Sequence, residues 1–341
     1  MKRVLAAAAF FGAAASALGQ EPSEAAFKET LRAPLDPALP PYQPNASVAG
    51  QIRSVGEDYM QKLLRLWIDG FTKAHPKAQF TVEAKGSKSA PPALLEGRAD
   101  IAPMGRELFP DEAAAFETKF GYEAFAVRVA GGTYRTYGKT YATAFLVNKA
   151  NPIEKLSLDQ LDAIYSKTRR RGYEKDLTTW GQLGLPGEWA NRPITPYGVR
   201  RPNGTASHLQ WRILKGGEYK DTIKEFPATA PIVFSVAEDP GGIGYARFGQ
   251  TNPKVKTVAL AETQAGPYYE GTFEDVVSHR YPLSRYVYIV LNRPPGKPVD
   301  ASVNEFLRFV LSKEGQHAVQ AEGDYIPLSA EVAKQERARL E

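Results

Sequence analysis

The sequence predicts an α/β protein of two domains, and three observations carry that expectation. From Gly50 onward, short β-like runs alternate with segments whose apolar residues recur at helical spacing, the pattern of sheets covered by helices. At 341 residues the chain is long enough for two hydrophobic cores. It contains no cysteine, so its stability must come from ordinary apolar packing.

The opening residues, 1–19, read as a secretory signal peptide. Lys2 and Arg3 precede an uncharged run from Val4 to Gly19, closed by the small residues Ala15, Ser16 and Ala17. The run is shorter than the ~20 apolar residues of a membrane span, so cleavage near Ala17 to Gly19 and export are expected. Loss of Lys2 and Arg3 takes the formal charge from +5 to +3, too mild a balance to point to nucleic acid. Residues 20–47 hold six prolines and little periodicity beyond a short helix candidate at 24–31; they read as a semi-extended leader without packing of its own.

Beyond the leader, Met60, Leu63, Leu64, Trp67, Ile68 and Phe71 mark one face of a helix. Strand candidates follow at 79–84 and 100–103, with a short helix through Leu94 and Leu95 between them. Further strands are expected at 125–129, 141–147, 194–198, 242–245, 255–260 and 286–292. Ser157 opens a helix with Gln160 at the capping-box position and Leu158, Leu161, Ile164 and Tyr165 facing inward. Val303, Phe306, Leu307, Val310 and Leu311 make the most regular apolar stripe in the chain.

In α/β folds, ligands gather beyond the carboxyl ends of strands, where loops enter helix N-termini. Four loops meet that description: 53–59, 85–91, 104–108 and 200–207. In the first, Asp58 and Tyr59 stand at a helix entrance, where Asp58 also serves as a favourable N-terminal charge. The second, KGSKSAPP, offers Gly86 for close backbone approach and the hydroxyls of Ser87 and Ser89; it also reads as a plain turn before a proline-started helix. The third puts Arg106 just after a buried strand, as a ligand or as a surface charge. In the fourth, RRPNGTAS, the residues Arg200, Arg201, Asn203, Gly204 and Thr205 suit either a helix cap or a cradle for a small anion. One such loop is noise; four together favour an anion-binding cleft.

Other motifs fall away. GGTYRTYGKT has five residues between Gly132 and Gly138 where a P-loop has four, and GGIGYARFG has Arg247 where a dinucleotide fingerprint needs its third glycine. His75, His208, His279 and His317 lack metal-ligand spacing, and no Gly-x-Ser-x-Gly elbow occurs. Arg169, Arg170 and Arg171 read as a solvated loop with modest steering of anions.

Taken together, the stretches VGEDYMQKLLRLWIDGFTKAHP, VEAKGSKSAPPALLEGRADIAPMGREL, TWGQLGLPGEWANRPITPYGVRRPNGTAS, PGGIGYA, YPLSRYVYIVLNR and FLRFVLSKEGQHAVQAEGDYIPLS resemble the periplasmic phosphate-binding components of phosphate ABC transporters, in the type II periplasmic-binding-protein group. The resemblance runs from Ala49 to Ser329. It implies a two-lobed α/β fold with a ligand cleft between the lobes: lobe I from 48–145 plus 283–331, lobe II from 146–282, crossovers near 144–149 and 280–285, and a charged tail at 332–341. It also implies an oxyanion held by Asp58, Tyr59, Gly86, Ser87, Ser89 and Arg106 on one side and Arg200, Arg201, Asn203, Gly204 and Thr205 on the other. Hinge closure, a membrane permease as partner, a monomer, and neither cofactor nor covalent chemistry complete the expectation.

This chain departs from the family pattern in places. Asn203 replaces a hydroxyl residue, Val199 stands where the family has an arginine, and Gly105 and Arg106 stand where some members have an acid. That acid accepts the proton of hydrogen phosphate and repels sulfate, which has none at neutral pH. Glu57 and Asp58 are left to supply it. An oxyanion sensor or scavenger without a transporter, and an exported phosphatase, are the alternative readings.

Overall fold

The structure, a computed structural model, describes residues 32–341. The predicted signal peptide and the helix foreseen at 24–31 lie outside the described residues.

Lobe I begins with β1 (Ala49–Gly56), α1 (Gln61–Ala74) and β2 (Lys77–Ala84). The two strands pair in parallel, as a helical crossover requires, and α1 buries Leu63, Leu64, Trp67 and Phe71 along the face that the spacing foretold. Then come α2 (Ala90–Leu95), β3 (Ala102–Met104), α3 (Pro110–Phe120) and β4 (Phe125–Thr133). The Val55 N–H donates to Ile101 O at 3.3 Å and the Glu57 N–H to Pro103 O at 2.8 Å, so β1 is laced to the segment of β3. Gly56 makes this possible: a Cβ there would lie 2.1 Å from Pro103 O.

Lobe II is built from β5 (Thr143–Asn148), β6 (Lys155–Ser157), α4 (Leu158–Tyr165), β7 (Thr195–Val199), α5 (Gly204–Arg212), β8 (Lys224–Phe226), α6 (Thr229–Glu238), β9 (Gly242–Arg247), β10 (Val255–Thr257), β11 (Ala259–Ala261) and α7 (Phe273–Val277). Its main sheet has the order β10-β5-β9-β7-β8, and β11 pairs with β6 beside it. The chain then returns to lobe I through β12 (Tyr286–Leu291), α8 (Ala301–Val310), α9 (Lys313–Glu322), β13 (Tyr325–Ile326) and α10 (Ala330–Leu340). β12 lies between β3 and β4 and is antiparallel to both.

Each lobe has its own core. Ile52, Trp67, Phe71, Val287, Phe306 and Val310 pack in lobe I; Phe145, Trp180, Tyr197, Ile243 and Tyr245 pack in lobe II.

The structure differs from the sequence expectations at four places. β5 pairs with β9 from Thr143 onward, so the expected boundary at 145/146 falls inside a lobe II strand and the first crossover is 134–142. An apolar run looks the same on either side of a hinge; only its pairing partner tells the lobes apart. The strand expected at 255–260 is two, β10 and β11, in different sheets. The described part of the leader is packed: Leu39 is buried in lobe I, and the Tyr42 hydroxyl donates to Glu305 at 2.7 Å. The charged tail is the helix α10, which buries Ala333 and Leu340 and sets Glu336 against Arg128. Its many charges conceal a one-sided apolar contact.

Candidate functional site

A cleft of about 310 Å³ opens between the lobes. Glu57, Tyr59, Ser87, Gly105 and Arg106 line it from lobe I, Asn203, Gly204 and Thr205 from lobe II, residues 137–141 from the first crossover, and Arg285 from the end of the second.

The lobe I wall is a small hydrogen-bonded frame. Glu57, fixed by its backbone bond to Pro103, accepts from the Ser87 hydroxyl, from the Ser87 N–H at 3.2 Å and from the Tyr59 N–H at 3.3 Å. Ser87 in turn accepts from the Gly105 N–H at 3.0 Å. The Gly105 carbonyl accepts from the Thr140 hydroxyl at 2.6 Å, which ties the first crossover to this wall. A Cβ at Gly105 would lie 2.9 Å from Thr140 Oγ1 and 3.2 Å from Glu57 Oε2. The acid that sequence comparison looks for after Met104 therefore has no room, and Glu57 occupies the space. Burial raises the Glu57 carboxyl above its ordinary value, and the neighbouring Asp58 adds to the rise; the Ser87 and Tyr59 donors oppose it without prevailing.

Lobe II contributes the start of α5. Asn203 is its N-cap, with Oδ1 accepting the Thr205 N–H at 2.8 Å. Gly204 and Thr205 form the first turn, where helix N–H groups lack partners within the helix and the local field favours anions. Gly204 is packed close to Arg106, since a Cβ there would be 3.4 Å from its Cδ. Thr205 Oγ1 lies 3.4 Å from the Tyr141 hydroxyl.

The cations around the cleft differ in their commitments. Arg106 is only 6% exposed, and its two Nη groups reach Glu112 at 2.6 and 2.7 Å while the fork stacks over Phe109. Lys139 donates to Glu322 and Asp324, each at 2.7 Å. Arg285 is 5% exposed; its Nη2 makes a long 3.5 Å contact to Gly105 O, and its Nε has no hydrogen-bond partner among the described residues. Behind it, Glu107 Oε1 accepts from the Tyr288 hydroxyl at 3.1 Å and lies 3.0 Å from His208 Nδ1 of lobe II. Burial alone would raise the Glu107 carboxyl; His208 and Arg285 outweigh it and hold it well below the usual range. Burial pushes the His208 ring down from its ordinary value, and the Glu107 carboxylate opposes that shift.

Of the sequence candidates, Tyr59, Ser87, Arg106, Asn203, Gly204 and Thr205 share the cleft. Asp58 is exposed and outside the lining; Gly86 and Ser89 are half-buried and also outside it, the Ser89 hydroxyl being spent on Gly86 O at 2.8 Å. Arg201 pairs with Glu225 at 2.6 Å and stacks over Tyr219, and Arg200 is exposed with its N–H on Phe226 O. Neither is among the residues that line the cleft. Sequence reasoning missed Arg285, whose one signal is a lone cation heading the apolar run YVYIVL. It also missed Tyr137, Lys139 and Thr140, set aside with the failed P-loop match, and Tyr141, read as the start of a strand.

Comparison with known proteins is consistent with this geometry. A model of the PBP superfamily domain matches residues 42–314. The phosphate-binding protein PstS of Pseudomonas aeruginosa is 38% identical over 334 residues, covering 98% of this chain and 97% of that one. The phosphate-binding protein PstS of Staphylococcus epidermidis is 25% identical, with coverages of 81% and 77%. Among solved structures, PstS from Borrelia burgdorferi superposes with a TM-score of 0.52 at 19% identity, covering 81% of this chain and 98% of that one. An ABC-type phosphate transport receptor from Vibrio cholerae gives 0.51 at 21% identity, with coverages of 81% and 99%.

Proposed function

The chain belongs to the PBP superfamily and to the family of phosphate-binding proteins PstS, and we propose that it captures inorganic phosphate between its lobes and delivers it to an ABC permease. It is not an enzyme. The observation that carries this reading is the meeting, in one inter-lobe cleft, of the Ser87–Glu57–Gly105 frame with the capped first turn of α5. Hydroxyls and helix-start N–H groups supply donors for phosphate oxygens; closing the lobes removes water and strengthens each charge-assisted bond.

Within this reading, Glu57 performs the discrimination. A carboxylate in the cleft accepts the proton of hydrogen phosphate, whereas sulfate brings only oxygens and leaves two negative groups face to face. The site set proposed is Glu57, Tyr59, Ser87, Asn203, Gly204 and Thr205, with Tyr141 beside Thr205. The protein works as an exported monomer in the periplasm, and binding needs no cofactor.

Calorimetric titration of the purified protein with phosphate, arsenate and sulfate tests the reading. Phosphate and arsenate, alike in shape and protonation, should bind, and sulfate should bind at least about 100-fold more weakly at neutral pH. No heat and no stabilisation with phosphate would overturn it.

A further inference from the structure

We infer that Arg285, at the end of the second crossover, is the cationic ligand of the oxyanion, in place of the arginines that precede the α5 cap. The inference rests on the phosphate-capture reading and extends it to a residue from neither of the expected ligand loops.

Three cationic side chains line the cleft, and their partners decide between them. The fork of Arg106 is held by two bonds to Glu112, and Lys139 sits between Glu322 and Asp324. Neither can turn to an anion without stranding a carboxylate, and breaking a buried pair is costly. Arg285 is as deeply buried as Arg106, yet among the described residues no carboxylate lies within hydrogen-bond distance of it. Glu107 Oε2 stands 3.8 Å from Nη2, and the Nε–H has no acceptor among the described residues. Buried guanidinium N–H groups ordinarily find acceptors, so an orphan on a charged donor marks a position where an acceptor is to be supplied.

The geometry places that acceptor in the cleft. Nη2 already reaches toward Gly105 O, whose own N–H is bonded to Ser87. The fork thus addresses the same corner as the Ser87–Glu57 frame. Gly132 gives it room, since a Cβ there would lie 3.3 Å from Arg285 Cβ, and the Gly132 N–H bonds to Arg285 O at 2.7 Å. Glu107 is a positioning residue behind the fork, itself held by Tyr288 and by His208 from the opposite lobe. A carboxylate at that distance orients the guanidinium without occupying its donors. The planar fork then has two adjacent N–H groups for two oxygens of a tetrahedral anion.

The test is titration of phosphate into wild type, Arg285→Gln, Arg285→Lys and, as a control outside the cleft, Arg201→Gln, with thermal melts in phosphate-free buffer to verify folding. Arg285→Gln should weaken phosphate binding by about 100-fold or more, as expected when one partner of a buried charge pair is removed. Arg285→Lys, which keeps the charge and loses the fork, should weaken it by about tenfold. Arg201→Gln should stay within about twofold of wild type, its charge being an exposed pair. Should Arg285→Gln fail to fold, Arg285→Lys decides. Wild-type affinity in a folded Arg285 variant overturns the inference and leaves phosphate capture standing. A wild type that takes up no phosphate refutes the capture reading itself.

Discussion

The two walls of the cleft are made differently. The lobe I wall is a frame of side chains: Glu57, Ser87 and the Gly105 backbone hold one another, and Thr140 buttresses them from the crossover. The lobe II wall is the start of a helix, where a side chain, Asn203, caps backbone N–H groups and Thr205 adds one hydroxyl. One wall can read protonation, since it carries a titratable group; the other presents fixed dipoles to any anion. Under the proposed phosphate reading, the difference teaches a division of labour: selectivity would belong to lobe I, and general affinity for oxygens to lobe II. Helix starts attract sulfate and phosphate alike.

The largest effect should come from the selective wall. Glu57→Gln is expected to shift the ratio of phosphate to sulfate affinity by about 100-fold or more, because the amide donates a hydrogen bond where the carboxylate repels; titrations with both anions measure it. The pH dependence follows from the raised carboxyl. Wild-type sulfate binding should strengthen as pH falls through the folded-state value of Glu57, and the variant should be flat across that window. The sign for stability is the same. A carboxyl with its folded value raised binds its proton more tightly in the folded state, so stability is lost as pH rises from the ordinary 4.5 through the raised value. The ligand-free Gln variant should therefore melt above wild type at neutral pH and lose that advantage in acid.

Smaller effects are expected from the general wall, and they should not discriminate. Thr205→Ala removes one hydroxyl and should weaken phosphate and sulfate alike by about tenfold. A selective loss would break the division of labour. Asn203→Ala should act first on the helix, costing about 1 kcal/mol of stability through the lost cap, with a change in anion affinity of only a few-fold. Denaturant melts and titrations on the same sample separate the two.

The local half of this arrangement was legible in the sequence. The stripe from Met60 to Phe71, the capping box at Ser157 and Gln160, and the loops holding Ser87 and Thr205 all follow from patterns within a few residues. What escaped was set by partners distant in the chain. Arg106 and Arg201 look alike as loop cations until Glu112 and Glu225 are seen to hold them. Arg285 reads as the edge of a strand until the fold brings Gly105 to its fork. Tyr141 lies 64 residues before Thr205, and no spacing rule links them. Composition also misled near the start: prolines suggested a leader without packing of its own, whereas Leu39 is buried in lobe I.

The same two connections that join the lobes also reach the cleft, one through Thr140 and Tyr141 and the other through Arg285. An ion seated there as proposed would grip the fulcrum as well as the jaws. Occupancy would then be felt as stiffness at the pivot, with the empty molecule swinging freely and the loaded one locked by a bolt through its axle.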